Sequence, residues 1–362
     1  MESFGSTLVK DISYKRVRIY LKETFTIANE SYSHCDAVVV RIKTENFEGV
    51  GEASPDNVVT GETVRTVTDA LNKLKPALIG KDASEVRGVM GALDAVLKGN
   101  NTAKAAVDMA LYDIAGKSTG RSVSSLLGGK NTSRITSITL GLADIESTVK
   151  RALAYKRQGF KILKIKTGLK WERDAGTVEA VRKAVGNRRR IIVDANQGYS
   201  VKEAISFINR VKDVGIDFVE QPVRARDLES LKKVRDTSDV PIMADESLKD
   251  MDDLLKISKM GATDMINIKL MKTGGIAKAM DMAEFAKDSG IKTMAGCMDE
   301  TRIGVTAGMH FALAGCDADF VDLDSHLSHK NEVADRGVKT HNGINSVGIS
   351  PGLGVRLRRG VL

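Results

Sequence analysis

Charged residues recur at near-constant spacing through the middle of this 362-residue chain. Lys164-Ile165-Lys166, Asp194, Glu220, Asp245 and Lys269 each close a short apolar run, and the steps 166 to 194, 194 to 220, 220 to 245 and 245 to 269 span 28, 26, 25 and 24 residues. Each step is about one strand plus one helix. A charge at one strand end is ordinarily a cap or a salt bridge; five in succession, ordered lysine pair, three carboxylates, lysine, ask for another reason. Neighbouring carboxylates repel unless a cation lies between them, and three hard oxygen donors suit Mg²⁺. Lysine is a poor base at its free pKa, but a divalent cation and a second ammonium nearby are expected to bring it toward neutrality. Two such bases facing one carbon acid would take a proton from one face and return it to the other, while the metal steadies the developing enediolate.

That chemistry requires the five strand ends to converge. From about residue 136, short apolar runs alternate with helical stretches. The runs are Ser137–Leu140, Ile162–Lys166, 191–194, 218–220, 242–245, Met265–Lys269, 292–295 and 320–324. Eight alternating βα units predict a parallel sheet closed into a TIM-type barrel, whose active site sits at the C-terminal strand ends. A doubly wound open sheet would want a glycine-rich first turn. Gly49-Val50-Gly51 instead leads into Glu52-Ala53-Ser54, without a third glycine opening a helix. Upstream, strands are expected at 16–21, 37–43 and 49–52, and helices at 63–78 and 102–116. Ala105, Ala106, Met109, Ala110 and Ile114 would share the buried face of the second helix.

Composition narrows the class. The 42% hydrophobic content supplies a sizeable core. The charge of +8 raises nucleic acid as a partner. However, the densest basic run, Arg188-Arg189-Arg190, merely precedes an apolar strand, and there are few aromatics for stacking, so no nucleic-acid partner is expected. The three cysteines, Cys35, Cys297 and Cys316, are far apart, as in a reducing compartment. The N-terminal MESFGSTLVKD lacks a signal-like apolar stretch, and no apolar run of about 18 residues occurs. A cytoplasmic protein with no membrane partner is expected.

On these motifs the chain resembles the enolase superfamily, in its muconate-lactonizing branch. The resemblance implies an α/β fold: a modified (β/α)7β TIM-type barrel over residues 126–329, with an N-terminal α+β capping domain over 1–125 completed by 330–362. It implies one Mg²⁺ per subunit on Asp194, Glu220 and Asp245. Lys166, the second lysine of Lys-x-Lys, and Lys269, within Asn267-Ile268-Lys269, would be the opposed acid/base pair. Lys164 would hold the substrate carboxylate and depress its neighbour's pKa, and Asn196 would lie in the layer behind the metal ligands. A homo-oligomer is implied as well.

Asp322-Leu323-Asp324 narrows the reaction. Two carboxylates beside a cavity make a clamp for an ammonium group. A calcium loop drawing on nearby Asp317 and Asp319 lacks a glycine and a distal glutamate in register. The motif resembles the Asp-x-Asp signature of dipeptide epimerases, and Thr60-Gly61-Glu62 and residues 103–113 resemble their cap. The implied activity is that of an isomerase: Mg-dependent 1,1-proton transfer at the α-carbon of the C-terminal residue of L,L and L,D dipeptides. Glutamate-specific members carry an arginine in the first cap loop, where this sequence has Glu30, and an apolar residue where it has Asp299. Two added carboxylates would repel an anionic side chain by roughly 2–5 kcal/mol when desolvated, and so predict a preference for Lys or Arg. The alternatives are epimerisation of L-Ala-D/L-Glu in murein peptide metabolism, an N-acylamino acid racemase or cycloisomerase of the same branch, and a non-catalytic Mg²⁺ or peptide binder. His326 and His329 read as loop residues, and Cys297 as a small packing residue at the rim.

Overall fold

The computed structural model describes residues 5–28, 30–315 and 320–362. Cys316, Asp317 and Asp319 lie outside the described residues. The chain opens with an antiparallel meander of β1 (Asp11–Ile27), β2 (Glu30–Lys43) and β3 (Glu48–Ala53). Helices α1 (Val64–Leu78), α2 (Val86–Val96) and α3 (Asn101–Ser118) pack with it. Thr63 and Thr66 form a reciprocal cap at the start of α1, which satisfies backbone donors the helix cannot. The stripe expected on α3 is buried together with nearly all the rest of that helix. The Gly49-Val50-Gly51 run has a packing role. A Cβ on Gly49 or Gly51 would lie about 2 Å from the carbonyl of Ala110 or Ala106, so only glycine lets β3 approach α3 this closely.

The β1–β2 hairpin is longer than its apolar alternation indicated, with a register shift between Tyr20 and Phe25. Its outer half projects toward the first barrel strand, where Leu142 N donates to Thr26 O at 2.9 Å.

Eight parallel strands follow: β4 (Ser137–Leu140), β5 (Ile162–Lys166), β6 (Arg190–Asp194), β7 (Val219–Glu220), β8 (Ile242–Ala244), β9 (Met265–Lys269), β10 (Lys292–Gly296) and β11 (Phe320–Asp322). Alternation along a strand explains how they carry both core and site. Ile162, Ile192, Phe218, Met243, Met265, Met294 and Phe320 form one inward apolar cluster low in the barrel. Two residues further along the same faces stand Lys164, Asp194, Glu220, Asp245, Asn267, Gly296 and Asp322. The lower layer fills the barrel and leaves the upper layer free for polar groups.

The strand ladder runs in order from β4 to β11, and side chains complete the ring. Thr136 Oγ1 bonds Val321 O and Leu323 N, the Ser137 hydroxyl donates to Asp322, and Thr139 N donates to Asp324 at 2.7 Å. The chain then returns in a hairpin, β12 (Lys339–His341) and β13 (Ile344–Ser346). Between β4 and β5 lies helix α4 (Ile145–Arg157). Among the described residues no helix is long and apolar enough to cross a membrane.

Candidate active site

The upper layer places Asp194, Glu220 and Asp245 together. One carboxylate oxygen from each lies within 4.8 Å of the others, and all three residues are buried. Hard oxygen donors at this spacing fit a divalent ion such as Mg²⁺. The surroundings hold the triad rigidly. Asn267 Nδ2 donates to Glu220 Oε1 at 2.7 Å, and Lys272 Nζ donates to Asp245 O at 2.6 Å and to its carboxylate. Burial and the Asp194 charge push Glu220 up to about 8. Burial also works to raise Asp194, yet Lys164 and Lys166 hold it down at about 2.

The lysines flank this triad. Lys166 Nζ donates to Asp194 Oδ2 at 2.8 Å and to Asn196 Oδ1 at 2.9 Å, whereas Lys269 Nζ donates to Asp245 Oδ2 at 2.7 Å. Lys164 Nζ lies 3.0, 2.8 and 2.7 Å from carboxylate oxygens of Asp194, Glu220 and Asp322. Burial lowers Lys164 and Lys269, but their carboxylate neighbours outweigh it and hold both above the ordinary range. Each ammonium touches a carboxylate, and contact attraction exceeds repulsion from the more distant ammonium.

Lys164, Lys166, Lys269, Asp299, Asp322 and Asp324 all line one cavity of about 750 Å³. Burial and Asp322 push Asp324 up to about 6. Asn196 has a left-handed backbone, φ 41°, and its amide bridges Lys166 to Glu246 Oε1, 3.1 Å away. Burial raises the Asp299 carboxyl above its usual range, and the nearby Tyr32 hydroxyl partly offsets this. Glu30 is exposed and is not part of the cavity lining; partial burial, Asp56 and Asp299 all raise its carboxyl.

Several residues here were not singled out from the sequence. Asp56 lines the cavity from the loop after β3, where its carboxylate accepts from Val58 N and Val59 N. Lys272, three residues past Lys269 in an apolar stretch, was a readable signal. Asn267 and Glu246 sit inside or beside quoted motifs. His326 and His329 do belong to the segment after β11, but both are buried, and among the described residues they join no metal-ligand cluster. The Cys297 thiol donates to Asp322 O at 3.3 Å and burial raises its pKa well above normal, which suits packing and not nucleophilic attack.

Residues 12–128 match the mandelate racemase/muconate lactonizing enzyme N-terminal domain, and residues 147–361 match the enolase C-terminal domain-like family. The chain belongs to this family, within the enolase superfamily. A hydrophobic dipeptide epimerase of Enterococcus faecalis is 37% identical over 96% of this chain and 99% of its own length. The substrate-liganded L-Ala-D/L-Glu epimerase of Bacillus subtilis superposes with TM-score 0.94 at 36% identity, covering 96% of this chain and 98% of that one. The Methylococcus capsulatus dipeptide epimerase, solved with Mg and L-Arg-D-Lys, gives TM-score 0.91 at 33% identity, covering 96% of this chain and 99% of that one.

Proposed function

We propose that this chain is a Mg²⁺-dependent dipeptide epimerase that inverts the α-carbon of the C-terminal residue of L,L and L,D dipeptides, preferring Lys or Arg there. The observation that carries the reaction is that Lys166 and Lys269 flank the Asp194, Glu220 and Asp245 triad in a cavity they share with Asp322 and Asp324. Asp322 and Asp324 hold the substrate's α-ammonium, and Lys164 faces its carboxylate. One lysine removes the α-proton and the other delivers a proton to the opposite face, so the configuration inverts. Mg²⁺ held by the triad would stabilise negative charge developing on the substrate carboxylate.

The cationic preference rests on local charge. Asp299 and Asp56 line the cavity, and Glu30 lies close enough to interact with both. A substrate carboxylate there would meet like charge, whereas an ammonium or guanidinium would be attracted. Overall likeness does not choose between side chains, because relatives described as acting on hydrophobic and on glutamate-containing dipeptides, and one bound to L-Arg-D-Lys, all match at 33% to 37% identity. An N-acylamino acid substrate would offer no ammonium to Asp322 and Asp324. A cytoplasmic location accords with the free thiols of Cys35 and Cys297.

The test is α-deuterium uptake in D₂O with Mg²⁺, comparing L-Ala-L-Lys, L-Ala-L-Glu, L-Ala-L-Leu and an N-acetyl amino acid. Fastest exchange into L-Ala-L-Lys is expected. Fastest exchange into L-Ala-L-Glu would keep the reaction and overturn the side-chain reading. Exchange into the N-acetyl compound alone would overturn the ammonium clamp.

A further inference from the structure

The place of Asp322 and Asp324 determines where the substrate's first residue lies, if these carboxylates hold its ammonium as proposed above. Ser137 donates to Asp322 and Thr139 N to Asp324, so both carboxylates sit against β4. A side chain on the carbon bearing the ammonium is then placed on the β4 side of the cavity, among the residues that line it there. That surface is apolar and aromatic. Tyr155, on α4, lies near Asp324 and meets Phe160 edge-on, with ring centroids 5.7 Å apart. Phe25 reaches in from the β1–β2 hairpin over Gly141, where an added Cβ would lie 3.1 Å from its ring. All four residues line the cavity.

We infer that this side of the cavity is a pocket for a large apolar, preferably aromatic, N-terminal side chain. The favoured substrates would then be dipeptides whose first residue is bulky and whose second is cationic, in place of alanine-first dipeptides. Size agrees: about 750 Å³ lies in the upper part of the range for drug-sized ligands, roughly 300–1,000 Å³, and alanine would leave the aromatic wall untouched. Charge agrees too. Several polar groups on this side have partners: Lys22 Nζ donates to Leu327 O at 2.7 Å, Arg151 pairs with Glu23 at 2.7 Å, and Asn342 bonds His341 at 3.1 Å. They offer little to recruit a charged first side chain into an apolar interior.

The experiment varies only the first residue, with Mg²⁺ present and the second residue fixed as whichever the enzyme turns over fastest. With Ala, Leu, Phe, Tyr, Glu and Lys in first position, Phe and Leu should exceed Ala in kcat/KM by at least about tenfold, the gain of filling an apolar pocket, and mainly through KM. Tyr155→Ala should reduce turnover of the Phe-first substrate more than that of the Ala-first substrate. Tyr155→Phe, which keeps the ring and is less of a threat to folding, should retain the order. Equal kcat/KM for Ala-first and Phe-first substrates, or a best substrate carrying Glu or Lys first, overturns the pocket and leaves the epimerase reading standing. Absence of exchange into every dipeptide overturns the reaction assignment and the pocket with it.

Discussion

Lys166 and Lys269 stand on β5 and β9, four positions apart in a barrel of eight strands, and reach one carboxylate triad from its two ends: Lys166 through Asp194 at 2.8 Å, Lys269 through Asp245 at 2.7 Å. In a closed ring of eight, four steps is halfway round. A carbon held over the triad therefore presents a different face to each ammonium, which is the arrangement that inversion needs and that simple binding does not.

Lys166→Ala and Lys269→Ala should each slow epimerisation at least about 100-fold, the usual scale of a lost acid/base group. The sharper readout is exchange without inversion. Each variant should incorporate α-deuterium from only one of the two epimers, and the two variants should differ in which. Mass spectrometry of separately supplied L,L and L,D substrates measures this; selective exchange of the same epimer by both variants would rule out opposed faces.

Metal linkage is the next test. Three buried carboxylates within 4.8 Å gain from a cation that the unfolded chain cannot hold. Mg²⁺ at about 100 times its Kd should stabilise the fold by about 2.7 kcal/mol, and EDTA should remove that gain together with activity. Glu220→Gln should flatten the dependence of Tm on Mg²⁺. An unchanged Mg²⁺ response in that variant would remove Glu220 from the ligand set.

The site's centre could be read from the sequence because inward residues of a strand repeat every two positions. An apolar run ending in a charge, such as Ile162-Leu163-Lys164-Ile165-Lys166, thus encodes both barrel filling and site. Its periphery could not. Asp56 belongs to a loop whose path no periodicity reports. The outer half of the β1–β2 hairpin is a half-exposed ribbon in which Lys22-Glu23-Thr24 interrupts the alternation. The barrel's closure depends on Thr136, Ser137 and Thr139 meeting residues some 185 positions away.

Asp299 offers a direct check on side-chain preference. It is half-buried in the cavity wall, near Tyr32. Asp299→Ile should lower kcat/KM for a Lys-terminated dipeptide by roughly tenfold or more while affecting a Leu-terminated one far less, as expected for loss of a partly desolvated charge partner. Equal loss on both substrates would mean that Asp299 acts only in packing.

The last prediction concerns acid stability. His310 is buried on the long helix following β10; its Nδ1 accepts from Ser124 N, and its Nε2 lies 3.2 Å from Leu353 O. Burial pulls its pKa from 6.5 down to about 4. Between those values the unfolded chain binds the proton that the folded chain refuses, so stability falls as pH drops from 6.5 toward 4. The loss from this one group should approach about 3 kcal/mol by the lower limit. Urea unfolding midpoints across that window should decline more steeply for the wild type than for His310→Gln, which keeps an acceptor and a donor but cannot titrate. Parallel slopes would show that His310 stays unprotonated in both states or protonates equally in each, and would remove it as a source of acid lability.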